Sequence, residues 1–132
     1  RRYRLAGLVV AGDSRGRLLG FPTANLDIGK QTLPREGIYG ARVFFDAASS
    51  EGFDSLLYIG SAPSFRAGNE QRPVRIEVFL MDWEGDLYNR ELFVEILCSI
   101  REDRVFNDPC DLVRQIEKDR EFFLAWLEKN RV

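Results

Sequence analysis

At 132 residues, 45% of them hydrophobic, the chain is long enough for one ordinary domain with a single core and too short for two. Nineteen Lys and Arg stand against twenty-one Asp and Glu, a formal charge of −2 with no long run of either sign, which argues against a nucleic-acid interface built on counterion release. There is no histidine, so Ser-His-Asp hydrolases and histidine-ligated metal centres are excluded, and acid–base work near neutral pH falls to a carboxylate.

Other absences narrow the setting. Cys98 and Cys110 form no C-x-x-C pair and read as ordinary reduced thiols. No apolar run approaches the roughly 20 residues needed to span a bilayer, and Arg1-Arg2-Tyr3-Arg4 is not followed by a signal-like apolar core. No membrane association is expected, and the cytoplasm is the simplest address. Met81 is the sole methionine, so residues 1–132 read as a single domain belonging to a longer product, with an N-terminal segment missing.

In chain order, Leu5 to Ala11 is apolar and predicts a first strand, leading directly into the glycine-spaced run from Gly12 to Leu19. Gly20-Phe21-Pro22-Thr23-Ala24-Asn25-Leu26 follows. Glycines leave backbone N–H groups free to approach an anion, Arg17 adds a permanent cation, and Thr23 with Asn25 offers hard oxygen ligands. The segment therefore reads as a phosphate and metal loop. The same residues also suit a tight turn, with Pro22 fixing a corner and Thr23 and Asn25 bonding their own backbone, and spacing alone leaves both readings open.

Leu33-Pro34-Arg35-Glu36-Gly37 predicts a turn, and Ile38 to Phe45 a strand rich in aromatic and β-branched side chains. Ser55 to Gly60 predicts another, antiparallel to it, and Ser61 to Pro73 a polar surface loop. From Val74 the pattern alternates, with Val74, Ile76, Val78 and Leu80 on one face and Arg75, Glu77, Phe79 and Met81 on the other. Glu77 thus points away from the β-branched stripe. As a plain surface residue it would be a solvent-facing glutamate paired with Arg75 or Arg101.

Asp82-Trp83-Glu84-Gly85-Asp86 reads as a hairpin connection to a last strand. In that strand Leu92, Val94, Ile96, Cys98 and Ile100 alternate with Phe93, Glu95, Leu97, Ser99 and Arg101. The period then changes to 3.6, with Leu112, Ile116, Phe123 and Leu127 on one helical face. Asp108 suits the cap, Pro109 the first turn, Asp111 the positive end, and Lys129 with Arg131 the other end. The helix should cover a sheet edge or barrel mouth. Strands followed by one helix, without β-α-β alternation, predict an all-β class with a C-terminal helix, as a small antiparallel barrel or sandwich.

A phosphate loop, a hard-cation site and a carboxylate base point to phosphoryl transfer. Neither G-x-x-x-x-G-K-[ST] nor G-x-G-x-x-G nor H-R-D nor D-F-G occurs, which excludes P-loop enzymes, dinucleotide dehydrogenases and protein kinases.

The run Gly12 to Leu26, Leu33-Pro34 with Gly37-Ile38-Tyr39, Tyr58-Ile59-Gly60 with Pro63-Ser64-Phe65, Ile76-Glu77-Val78, Asp86-Leu87-Tyr88, and Arg101 with Phe106 resembles riboflavin kinase in that order. It is most similar to the C-terminal kinase domain of the bacterial bifunctional riboflavin kinase/FAD synthetase. The resemblance implies a six-stranded antiparallel Greek-key barrel with a C-terminal helix, transferring the γ-phosphate of ATP to the ribityl 5′-hydroxyl of riboflavin to give FMN. It further implies Glu77 as catalytic base, Thr23 and Asn25 as ligands of Mg²⁺-ATP, and Gly12, Gly16, Arg17, Gly20, Pro22 and Thr23 around the phosphates. Arg101 and Phe106 fall where it places flavin contacts, and an adenylyltransferase domain would precede the chain in the full-length protein. Three positions depart from the family pattern: Ser64 for threonine, Phe79 for histidine, and Asn89 for glycine. The alternatives are a flavin- or nucleotide-binding module without catalysis, and a barrel binding single-stranded nucleic acid, which the acidic balance opposes.

Overall fold

Six strands and one helix succeed one another: β1 (Tyr3–Val10), β2 (Thr23–Asp27), β3 (Gly37–Phe44), β4 (Phe53–Gly60), β5 (Arg75–Leu80), β6 (Glu91–Arg101) and α1 (Pro109–Lys129). This computed structural model describes residues 3–10, 23–29, 31–46, 48, 51–60, 75–81, 89–102, 104 and 108–130. Gly12, Gly16, Arg17, Gly20, Pro22, Ser64 and Phe106 lie outside the described residues.

The strands close into a barrel in the order β1-β2-β5-β4-β3-β6, with every pairing antiparallel. β1 meets β6 to complete the ring, and the Arg4 side chain donates to Glu95 at 2.9 Å across that seam. Inside, Leu5, Val9, Ala24, Leu26, Val43, Leu57, Ile59, Val78, Leu80 and Val94 pack together. Each large aliphatic side chain buried this way contributes about 1.5–3 kcal/mol relative to exposure.

Three sequence expectations are corrected. First, Thr23–Asp27, read as part of a loop, is a strand: Ala24 and Leu26 enter the core while Asn25 and Asp27 face outward. Second, β5 and β6 do not form a hairpin. β5 is flanked by β2 and β4, which leaves it no free edge, and β6 spans eleven residues, enough to bridge β1 and β3. Third, the alternation in β6 does not run its full length. Ala41 pairs with Ile96 but Gly40 with Cys98, and Tyr39 with Ser99 but Ile38 with Arg101, so the register shifts twice. Ile96 consequently packs inside the barrel, while Cys98 and Ile100 pack outside it.

α1 starts as its sequence dictates. The Asp108 carboxylate accepts from the Cys110 backbone N–H at 2.8 Å, Pro109 occupies the first turn, and Lys129 the last. Its apolar side packs on the barrel's outer wall rather than on an edge or mouth, because a closed ring has no edge to cover. Leu112, Ile116 and Phe123, with Trp126 and Leu127, meet Ile38, Leu56, Tyr58, Phe79, Leu97, Cys98 and Ile100. Phe123 lies directly on Gly40, where an added Cβ would come within 2.2 Å of the ring.

Candidate functional site

Register decides what can meet on the outer wall. Asn25 pairs with Glu77 across β2 and β5, Glu77 with Tyr58 across β5 and β4, Tyr58 with Ile38, and Ile38 with Arg101. Directly opposed residues of antiparallel strands share a face, with Cβ atoms about 4.5–5.5 Å apart. Since Ala24, Leu26, Ile76 and Val78 occupy the interior, Asn25 and Glu77 project outward side by side. The backbone of Thr23 joins the adjoining row, opposite Phe79, which in turn pairs with Leu56.

The outward projection of Glu77 agrees with its alternation in sequence, but the solvated surface glutamate does not exist: the residue is 1% exposed. Tyr58 and Phe79, 6% exposed each, stand on neighbouring positions and belong to the cluster beneath α1. A carboxylate withheld from bulk water beside a half-buried amide can accept a proton from an alcohol held at the same wall. Phe79, where the resemblance expects histidine, adds apolar surface at this point.

Arg101 sits on the same row but three strand spacings from Glu77, about 14 Å round the wall. Its guanidinium forks onto Asp119 of α1, Nε donating at 2.9 and 3.1 Å and Nη2 at 2.9 Å, while Nη1 donates to the Glu102 carbonyl at 3.1 Å. Asp119 is 2% exposed and also accepts from Gln115 at 3.1 Å. Thus Thr23, Asn25 and Glu77 lie on adjoining strands, whereas Arg101 is engaged by the helix. Gln115 and Asp119 escape the sequence reading, and Tyr58 enters it only within the Tyr58-Ile59-Gly60 match. Asp119 carried a signal nonetheless, as a charged residue set between Ile116 and Phe123 on the apolar helical stripe. Asn89, replacing the expected glycine, has φ of 66°, the left-handed conformation asparagine tolerates.

The available oxygen donors suit a hard divalent cation. Asn25 offers a hard side-chain oxygen beside Glu77, and among the described residues no three His, Cys, Asp or Glu gather as a metal cage. That set fits Mg²⁺, which takes one or two protein oxygens and completes its shell with phosphates and water. Among the described residues, no helix is long and apolar enough to cross a membrane.

The family model described as flavokinase, or riboflavin kinase, matches residues 1–127. The chain is 34% identical over 130 residues to the bifunctional riboflavin kinase/FMN adenylyltransferase of Bacillus subtilis, covering 98% of this chain and 40% of that protein. A Streptococcus pneumoniae structure described as a macrolide-efflux protein superposes with a TM-score of 0.77 at 26% identity, covering 99% of this chain and 40% of the other. Riboflavin kinase from Trypanosoma brucei shares the fold, with a TM-score of 0.63 at 22% identity over 99% of this chain and 83% of that one. The chain spans about 40% of the length of the Bacillus relative.

Proposed function

From the premise that the chain belongs to the riboflavin kinase family, we propose that it transfers the γ-phosphate of ATP to the ribityl 5′-hydroxyl of riboflavin, giving FMN. The observation that carries this reading is the pairing of Asn25 with the 1%-exposed Glu77 across β2 and β5. In this reading Glu77 receives the proton of the attacking hydroxyl, and Thr23 and Asn25 would supply oxygen ligands to the metal–nucleotide complex. Gly12, Gly16, Arg17, Gly20 and Pro22 precede them and would cradle the phosphates with backbone N–H groups and one guanidinium. Mg²⁺, bound with ATP, would neutralise charge on the phosphoryl group in transfer. The flavin would lie toward the chain leaving β6, between Arg101 and Phe106, with Arg101 acting from the position Asp119 gives it. The 132 residues would form one kinase domain of a cytoplasmic protein whose remaining length carries an adenylyltransferase.

The test is conversion of riboflavin to FMN, followed by chromatography, with ATP and Mg²⁺. Turnover should vanish on chelation of the metal. Glu77→Gln should lower kcat about 100-fold or more while changing ATP affinity little, in keeping with the contribution of a positioned base. Normal turnover by that variant would remove Glu77 from the role, and tight flavin binding without any turnover by the unaltered chain would favour a binding module.

A further inference from the structure

We infer that Asp119 is a positioning residue for this reaction: through Arg101 it fixes where α1 lies on the barrel wall, and so fixes the wall around Glu77. The inference rests on the kinase reading above. Apolar packing holds α1 against the barrel, but such packing is non-directional and resists sliding poorly. The fork between Arg101 and Asp119 is directional, with three donor–acceptor contacts of 2.9–3.1 Å in a planar bidentate arrangement. Gln115, one turn earlier, donates to the same carboxylate and holds it in place. At the barrel end, Arg101 is fixed in turn by pairing with Ile38 and by donating to the Glu102 carbonyl.

The tie reaches Glu77 through two contacts. Arg101, Ile38, Tyr58 and Glu77 occupy successive positions of one row, and Tyr58 and Phe79, which flank Glu77, pack under Leu112, Ile116 and Phe123 of α1. Freeing the helix from Arg101 lets the cover over Tyr58 and Phe79 shift. A base displaced by fractions of an ångström from its attack geometry loses rate steeply. No β1 or β2 side chain belongs to the described cluster under α1, so the nucleotide side built on Thr23 and Asn25 should be spared. The expected signature is therefore a loss in kcat with the KM for ATP retained.

The experiment compares Asp119→Asn, Arg101→Gln and the double variant with the unaltered chain, at a temperature where circular dichroism shows each folded. Asp119→Asn should lower kcat about 10-fold with KM for ATP within twofold, Arg101→Gln, which also removes a proposed flavin contact, should lower it at least as far, and the double variant should be no worse than Arg101→Gln alone. Gln115→Met, which keeps length but removes the donor, covers the case in which Asp119→Asn fails to fold, and should lower kcat two- to threefold. Arg114→Ala, breaking only an exposed pair with Asp111, serves as control. A folded Asp119→Asn with kcat within twofold of the unaltered chain, a rise in KM for ATP instead, or multiplicative loss in the double variant would overturn the inference. If Asp119→Asn does not fold, unchanged kcat in Gln115→Met would do so. Absence of turnover in the unaltered chain would overturn the kinase reading itself, and the positioning role with it.

Discussion

Burial raises the Cys98 thiol above its ordinary range, and a hydrogen bond with the Gly40 backbone offsets only part of that shift; Cys110 lies exposed in the first turn of α1. Thiolate, not thiol, attacks disulfide reagents. At pH 8 a small aromatic disulfide should therefore label Cys110 at least 10-fold faster than Cys98, and Cys110→Ser should leave only the slow phase. A surviving fast phase would contradict the burial of Cys98 beneath α1. Legibility at this scale divides along the same line. The outward direction of Glu77 was readable from Ile76 and Val78 beside it, because strand parity is local. Its burial was not, because its cross-strand neighbour Tyr58 and the α1 side chains packed over Tyr58 and Phe79 come from β4 and α1, far away in the chain.

Among the elements, α1 was the most legible, since Asp108, Pro109 and its apolar stripe each act within a few residues of themselves. β2 was hidden because Pro22, Thr23 and Asn25 favour turns, and only pairing with β1 and β5 makes the segment a strand. In β6, Ile96-Leu97-Cys98 offers three apolar residues in succession, so alternation cannot choose which of them turns inward; the shifts against β3 make that choice. Where α1 rests on β3, a single hydrogen atom matters. Gly40→Ala would drive a methyl group into the Phe123 ring and should lower stability by about 1–3 kcal/mol, as overpacked sites do. Urea denaturation should show the lower midpoint with an unchanged slope.

For the whole molecule, element order was enough to suggest a small antiparallel barrel or sandwich with a terminal helix, and the family resemblance chose the barrel, but neither gave its neighbour relations. The supposed β5–β6 hairpin failed because closure awards β5 to β2 and β4. Helix and barrel also share one apolar cluster, with Phe123 stacked on Trp126 at 6.2 Å between ring centroids. They should consequently unfold as one unit. Helical ellipticity and tryptophan fluorescence ought to trace coincident urea transitions. An early fluorescence change with ellipticity retained, or the reverse, would show α1 parting from the barrel separately.

The seam that joins Tyr3 to Ile96 and Leu8 to Glu91 has a further consequence, for the order of synthesis. Translation at roughly 5–20 residues per second separates the two halves of that seam by about 5–20 s. Through that interval β1 has been made while its partner on one side has not, and the nascent chain presents an open strand to the crowded cell. Ring closure is then a non-local event, of the kind that sets folding on the scale of milliseconds to seconds.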